Sequence, residues 1–291
     1  MTQRIPKLIT TAEEVEKACQ IISQSPTIGV DTEFIRETSF FPKIALIQVA
    51  TEDEIWLFDP TELSKEDIAP FLEILQSPKI LKILHAAVAD QECFYWAYGI
   101  LAAPAIDTSI GAALCGMGDS IGLQKLLREI LGVHVGKGRA RAKWLQRPLS
   151  QELLHYAEQD VAHLVKLGQK LRQNLEKLGR WEWAIEASLV DKKIFDVSAE
   201  ELADKIARGA HLEKEYPFLV ELLRWREGRA RDADLPRMWV ADNETLIALA
   251  RVQPKSIEEL KTFRGLHPKE VDRSGKRIIE AIERARKVVV P

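Results

Sequence analysis

The apolar positions near the start of the chain first follow helical spacing and then form short continuous runs. Thr11-x-x-Glu14 has the form of a capping box, and apolar residues follow it at helical spacing, which predicts a helix over 11–24. Three segments rich in Ile and Val come next, at 28–34, 44–50 and 54–59. Because the connections between them are short, we expect consecutive antiparallel strands.

Helical and strand patterns alternate further along the chain. Serine residues that can cap a helix precede apolar stripes, which predicts helices over 64–76, 120–132 and 150–178. The last of these is the longest predicted helix. Residues 80–87 form an apolar run that is typical of a strand. Strands followed by helices mixed with strands predict a layered α/β or α+β fold.

The final third of the chain shows a different pattern. Residues 181–210 are expected to form a helical connector, and from His211 onward every apolar pattern is helical. Short turns are expected at Pro236, Pro254 and Gly265. The length of 291 residues suits one large and one small domain. We therefore predict a first domain at 1–180, the connector, and a helical domain at 211–291.

Charge is divided unevenly between these regions. The net charge is −3, yet residues 209–291 contain 17 Lys and Arg against 14 Asp and Glu, so the rest of the chain is acidic. An acidic body is poorly suited to a polyanion unless metal ions neutralise part of it, whereas a basic tail can help to recruit one. This division of charge is compatible with a nucleic-acid partner but, because imbalances of this size are common on protein surfaces, it is suggestive and no more.

Composition also bears on the compartment. With 46% hydrophobic residues the chain can form a core, but no apolar run approaches the roughly 20 residues that cross a bilayer. The N-terminal segment lacks the apolar stretch of a signal peptide, so a cytoplasmic location is expected. Cys19, Cys93 and Cys115 are widely spaced, which predicts buried, reduced thiols rather than disulfides or a zinc site.

Five residues are candidates for chemistry. Asp31 and Glu33 are two residues apart in a predicted strand, so they share one face. Asp90 follows the strand predicted over 80–87, and Tyr156 and Asp160 share a helix face at i, i+4 spacing. Each has an ordinary alternative: a solvated strand end for the first pair, a helix N-cap for Asp90, and an exposed hydrogen-bonded pair for the last two.

Taken together, these residues supply four carboxylates and one phenol. Such oxygen ligands suit Mg²⁺ or Mn²⁺, and two such ions about 4 Å apart can activate water for phosphodiester hydrolysis. The phenol is suited to orienting the attacking water. The set therefore predicts a metal-dependent hydrolase of phosphodiesters.

The sequence around these residues resembles the DEDDy 3'–5' exonuclease superfamily, and ribonuclease D in particular. The matching segments are DTEFIRETSFFPKIALIQ, KILHAAVADQECF and YAEQDVAHL, and the likeness extends over about residues 8–180. The resemblance implies an RNase H-like mixed-sheet domain that hydrolyses single-stranded RNA 3' ends to nucleoside 5'-monophosphates. Precursors of tRNA are the substrate that it implies.

The resemblance also implies roles for individual residues. Asp31 would bridge two metal ions, Glu33 and Asp160 would complete one site, and Asp90 would hold the second ion through water. Tyr156 would set up the nucleophile. Three further residues are candidates for substrate contact: Thr32, Phe34 and His85. Phe34 is equally compatible with a place in the core, and His85 with a structural hydrogen bond.

The segment GKGRARAKWLQRPLS resembles the family's segment before the third motif, with departures. Gly136, Ala142 and Lys143 replace the acidic and hydroxyl residues that relatives usually have. The segment is consequently more basic, and it can either alter the grip on substrate or form a solvated loop. The basic residues are Lys137, Arg139, Arg141 and Lys143.

Residues 211–288 resemble an HRDC domain, an all-α module that ribonuclease D shares with RecQ-type helicases. The matching stretch is LLRWREGRARDADLPRMWVADNETLIALARVQPKSIEEL. Its arginines are candidates for phosphate contacts or for an ordinary face balanced by acids, and its two tryptophans are expected in the core rather than in base stacking. These residues are Arg224, Arg226, Arg229, Arg231, Trp225 and Trp239. Longer family members carry two such modules, whereas this chain has room for one.

The sequence thus predicts a monomeric, metal-dependent 3'–5' exoribonuclease. Two alternatives stay open at this point. An exonuclease that prefers DNA would share every catalytic residue, although the HRDC module favours the ribonuclease D order. A nucleic-acid-binding scaffold that has lost activity is the second, and the intact set of carboxylates with Tyr156 weighs against it.

Overall fold

The computed structural model describes residues 6–136, 142–208 and 211–289, and it contains one mixed β-sheet. The strands are β1 (Lys7–Ile9), β2 (Thr27–Ile35), β3 (Lys43–Ala50), β4 (Ile55–Phe58), β5 (Leu81–Leu84) and β6 (Ala105–Asp107). Their order across the sheet is β1-β4-β3-β2-β5-β6. As predicted, β2, β3 and β4 are antiparallel neighbours, whereas β1, β5 and β6 join the sheet in parallel.

The chain divides into two compact units. Within the described residues, the first unit comprises 6–35 and 42–192, and the second comprises 36–41 and 193–289. The helices of the first unit are α1 (Ala12–Ile22), α2 (Lys65–Gln76), α3 (Val88–Tyr98), α4 (Thr108–Leu114), α5 (Leu123–Leu131), α6 (Gln151–Val161), α7 (Leu164–Lys177) and α8 (Trp181–Ala187). Helices alternating with strands of a mixed sheet confirm the expected α/β class.

The sheet of the first unit separates two apolar cores. Val30, Ile47 and Val49 pack with α1, α2 and α3 on one face. Leu46 and Ala50 alternate with them along β3 and pack with α5, α6 and α7 on the other face. Because both faces are covered, the strands are apolar on both sides, and a polar side chain within them is exceptional.

Capping chemistry explains where several helices begin. Thr11 and Glu14 form the predicted capping box of α1, and Ser64 forms another with Asp67 at α2. Ser150 caps α6 through the N–H of Leu153. The predicted start at Ser120 is wrong, because extended Gly122 precedes α5.

The longest predicted helix is divided in two. The turn at Ala162 and His163 separates α6 from α7, and His163 has a φ of −115°, outside the helical range. The strand predicted over 80–87 is also shorter, because Ala86 adopts a φ of 53° and ends the extended backbone. Two strands and one helix were not predicted: β1, β6 and α4.

The second unit is helical, as the sequence predicts for the region after His211. Its helices are α9 (Ala199–Ala207), α10 (Tyr216–Asp232), α11 (Arg237–Val240), α12 (Asn243–Val252), α13 (Ile257–Leu260) and α14 (Pro268–Val289). A short 3-10 helix, Lys192–Ile194, precedes them. Residues 36–41 also belong to this unit, where the N–H groups of Phe40 and Phe41 donate to the Asp234 carboxylate at 3.0 and 3.1 Å.

Two sequence predictions concern the burial of the cysteines and the presence of membrane-spanning segments. Cys19 and Cys93 are buried and free, as expected, but Cys115 is partly exposed, so the prediction that it is buried is wrong. In the described part of the chain, no helix is long and apolar enough to cross a membrane.

A substitution at Gly29 can test whether α7 must lie this close to the sheet. A Cβ at this position would lie 2.8 Å from Leu164 Cβ, which has no freedom to rotate away. We expect Gly29→Ala to reduce the free energy of unfolding by about 1–3 kcal/mol, because the added methyl overpacks the core. Gly111→Ala is the control, since its Cβ would meet side-chain atoms only at 3.6 Å. Equal stability of the two variants in denaturant unfolding would contradict this account.

Candidate metal centre

The strand β2 and the helix α6 bring three carboxylates together. One ligand oxygen from each of Asp31, Glu33 and Asp160 lies within 4.8 Å of the others. Asp31 and Glu33 share a face of β2, as the i, i+2 spacing predicts, and Asp160 lies in the last turn of α6. Three oxygen ligands at such distances fit a hard divalent cation.

Asp90 approaches this group from a third element. It lies in the first turn of α3, is buried, and accepts a hydrogen bond of 2.5 Å from Thr32 Oγ1. The alternative that Asp90 is an N-cap is wrong, because Ala87 holds that position and makes no side-chain cap. Asp90 lies near enough to raise the pKa of Asp31, although it is not one of the three clustered carboxylates.

Tyr156 is held beside the cluster by its hydroxyl and its ring. The hydroxyl hydrogen-bonds to the Asp160 carboxylate one turn later on α6. The ring centroid lies 6.0 Å from that of the fully buried Trp144. The predicted i, i+4 pair therefore faces the acidic cluster, and the alternative of an ordinary exposed pair is contradicted.

Burial raises the pKa values of all four carboxyl groups, and repulsion by neighbouring carboxylates of the site adds to this effect for Asp31 and Glu33. For Asp31, which keeps partial solvent access, burial raises the pKa well above its usual range, and Asp90, Asp160 and Glu33 raise it further. Burial, followed by the charges of Asp160 and Asp90, raises the pKa of Glu33 to about 8. Burial also raises the pKa of Asp90 to about 7 and that of Asp160 to about 6.

These shifts describe a site that disfavours its own negative charge. Several ionised carboxylates at this spacing repel one another unless a cation neutralises them. A divalent cation supplies the positive charge that neutralises the carboxylates, and it prefers the oxygen ligands that are present. The donor set and the electrostatics therefore both fit a metal centre.

The three candidates for substrate contact have different surroundings. Thr32 is buried on the opposite face of β2 from Asp31, with its hydroxyl engaged by Asp90. Phe34 is partly buried and packs against the core formed with α1, α2 and α3. His85 Nδ1 lies 2.8 Å from Thr108 Oγ1, and burial lowers the pKa of the imidazole, which favours the neutral ring. A contact with substrate stays a prediction for all three.

Asp107 organises the loop that precedes α3, a role that the sequence pattern does not predict. Its carboxylate accepts hydrogen bonds from the N–H groups of Ala86 and Ala87 at 2.9 and 2.8 Å and also caps α4 through Ser109. These bonds hold the left-handed backbone of Ala86 next to His85. Only the Asp-Thr-Ser sequence at 107–109 marks a helix cap, and nothing local links it to residue 86.

An ion pair anchors the segment that leads into α6. Arg147 Nε and one terminal nitrogen donate to the two carboxylate oxygens of Asp59 at 2.5 and 2.6 Å. The same guanidinium donates to the backbone oxygens of Ala45 and Trp144. This two-point geometry fixes the residues before α6. Among the basic residues of this segment, Lys143 is exposed, whereas Lys137, Arg139 and Arg141 lie outside the described residues.

The arginines of the helical unit form a balanced network. Arg226 and Arg229 are buried and pair with Glu227 and Glu270, each at 2.9 Å, so a phosphate contact by these two side chains is contradicted. Arg224 pairs with Glu200 and Arg231 with Asp196, each at 2.6 Å. The alternative of a face balanced by acids describes this surface. Trp225 is buried as expected, but Trp239 is 59% exposed, so the prediction that it lies in the core is wrong.

A mixed-sheet α/β unit with a carboxylate cluster, followed in the chain by a helical unit, is an arrangement typical of metal-dependent nucleases with an accessory domain. The chain matches the family model described as a 3'–5' exonuclease over residues 6–176 and that of the HRDC domain over residues 217–282. The chain belongs to the ribonuclease D family of 3'–5' exonucleases, which confirms the resemblance of its motifs.

Individual relatives are similar in sequence to this chain over most of its length. It is 36% identical to ribonuclease D of Bartonella henselae over 267 residues, which are 91% of this chain and 65% of that protein. The ribonuclease D of Pseudomonas paraeruginosa is 36% identical over 92% of this chain and 71% of its own length. The crystal structure of Escherichia coli RNase D, an exoribonuclease involved in structured RNA processing, is 31% identical, with a TM-score of 0.86 over 97% of this chain and 75% of that one.

The raised pKa values predict that the metal-free protein loses stability as the pH rises. A folded carboxyl group with a raised pKa holds a proton that the unfolded chain has released, so the free energy of unfolding falls with increasing pH. The decline should extend from about pH 4, the ordinary carboxyl value, through about pH 8, the value for Glu33. Saturating Mg²⁺ should remove most of it, because the cation stabilises the ionised groups.

Thermal unfolding at about pH 5 and about pH 8, with Mg²⁺ or with chelator, measures this effect. Asp31→Asn serves as the comparison, since it removes one acid and should reduce both the pH slope and the response to Mg²⁺. A wild-type protein whose stability does not respond to Mg²⁺ at the higher pH would rule out this description of the site.

Proposed function

We propose that this chain is a divalent-metal-dependent 3'–5' exoribonuclease that releases nucleoside 5'-monophosphates from RNA. The observation that carries the proposal is the cluster of Asp31, Glu33 and Asp160, with Tyr156 bonded to Asp160. Membership of the ribonuclease D family supports hydrolysis as the reaction and RNA as the substrate.

The placement of the residues supports a role for each of them. Asp31, whose pKa responds to all three other carboxylates, would hold a cation together with Glu33 and Asp160. Asp90, whose carboxylate accepts a hydrogen bond from Thr32, would help to hold a second cation. Two Mg²⁺ or Mn²⁺ ions, when bound, supply an activated water and stabilise the leaving oxygen.

Tyr156 acts on the water rather than on the cations. Its hydroxyl is held by Asp160 on the face of α6 that meets the cluster, where it orients the attacking oxygen. Thr32, Phe34 and His85 border the terminal nucleotide, with the neutral ring of His85 held by Thr108. The catalytic set thus combines cation ligands with one group that positions the nucleophile.

The finer assignment concerns substrate, domains and location. We place the exonuclease domain at residues 1–180, the connector at 181–210 and the HRDC domain at 211–291. The proposed substrates are single-stranded 3' ends of tRNA precursors, a choice that rests on the family. The enzyme is proposed to act as a monomer, in the cytoplasm.

A 5'-labelled single-stranded RNA and its DNA counterpart test the proposal directly. With Mg²⁺ or Mn²⁺, the RNA should shorten stepwise from its 3' end, and chelator or Asp31→Asn should abolish the products because cation binding is lost. Gel separation of the labelled products measures this. Faster shortening of DNA would transfer the assignment to a DNA exonuclease, and binding without hydrolysis would favour an inactive scaffold.

Tyr156→Phe separates water positioning from cation binding. Loss of the hydroxyl should lower kcat on RNA by about 100-fold, within the range for a positioned proton-transfer group, with little change in KM. Steady-state kinetics measures both values, and Tyr98→Phe at the end of α3 is the matched control with unchanged kinetics. An unchanged kcat for Tyr156→Phe would remove the proposed role of the phenol.

A further inference from the structure

Gln48 presents an unusual feature in the middle of β3. Its side chain is fully buried, and neither Nε2 nor Oε1 makes a hydrogen bond to any described residue. Buried polar groups in native proteins are nearly always paired, because an unpaired one costs free energy. The unpaired carboxamide therefore points to a hydrogen bond that forms in a ligand-bound state of the protein.

The register of the sheet shows which side chain lies next to the carboxamide of Gln48. Gln48 is directly opposite Asp31 in the antiparallel pair of β2 and β3. Opposite residues point to the same face, with Cβ atoms about 4.5–5.5 Å apart. Leu46 and Ala50, two residues to either side, pack in the core beneath α6 and α7, so Gln48 lies on the face of the metal cluster.

Gln91 shows what a structural glutamine looks like in the same unit. It is equally buried, but its Nε2 donates to the oxygen of Ala102 at 2.8 Å and its Oε1 accepts from the N–H of Ala102 at 2.8 Å. Both polar atoms are thus satisfied by the fold itself. The carboxamide of Gln48 lacks any equivalent pairing and lies beside a carboxylate that is suited to a cation.

We propose that Gln48 is a positioning residue of the metal centre, whose Nε2 donates a hydrogen bond to the Asp31 carboxylate when that carboxylate binds a divalent cation. This inference rests on the proposed function, since it needs the cation. An ionised carboxylate is a stronger hydrogen-bond acceptor than a neutral one, and the register places the Asp31 carboxylate on the same face as the amide. Groups that hydrogen-bond to metal ligands orient them and increase metal affinity.

Gln48→Met tests the proposal, because methionine preserves length and volume while it removes both polar atoms. The affinity for Mn²⁺, measured from the paramagnetic resonance signal of the free ion, should fall about tenfold. The thermal stability of the metal-free variant should be unchanged or higher, because an unpaired amide is replaced by an apolar group. A merely structural glutamine would show neither result.

Gln91→Met is the control for stability. It should lower the thermal stability of the metal-free protein, because the backbone groups of Ala102 lose their partners. A Gln48→Met protein that is destabilised or unfolded without metal, or that binds Mn²⁺ as the wild type does, overturns the positioning role and leaves the proposed function intact. Absence of Mn²⁺ binding by the wild type would overturn both.

Discussion

Repulsion among carboxylates that the fold holds together is the constraint on which the rest of the structure depends. Asp31, Glu33 and Asp160 come from β2 and α6. Their negative charges repel one another at a site that is partly removed from solvent. Such an arrangement persists only if packing elsewhere fixes the elements that carry the acids. Stability and function are therefore in conflict at this site, and a bound cation relieves the conflict.

The packing that fixes these elements is local and specific. Gly29 lets Leu164 at the start of α7 lie directly against β2, two residues from Asp31. The turn at Ala162 and His163 separates α7 from α6, so Asp160 remains in the last turn of α6 while the chain changes direction. Without the turn, one straight helix would have to cover both regions of the sheet.

The sequence predicts features that depend on neighbouring residues. The face shared by Asp31 and Glu33 and the pairing of Tyr156 with Asp160 follow from strand and helix periodicity, and the structure has both. Features set by distant contacts were not predictable in this way. The turn at His163, the grip of Asp107 on the loop before α3 and the exposure of Trp239 all depend on packing between elements.

The ion pair between Arg147 and Asp59 gives the chain a fixed point just before α6. Exposed residues on the far side of that point, such as Lys143, can change without displacing the helix that carries Tyr156 and Asp160. The departures from the family pattern at Gly136, Ala142 and Lys143 all lie on that side. Exposed positions of this segment are therefore free to vary over evolution, whereas Trp144, whose ring lies beside Tyr156, is not.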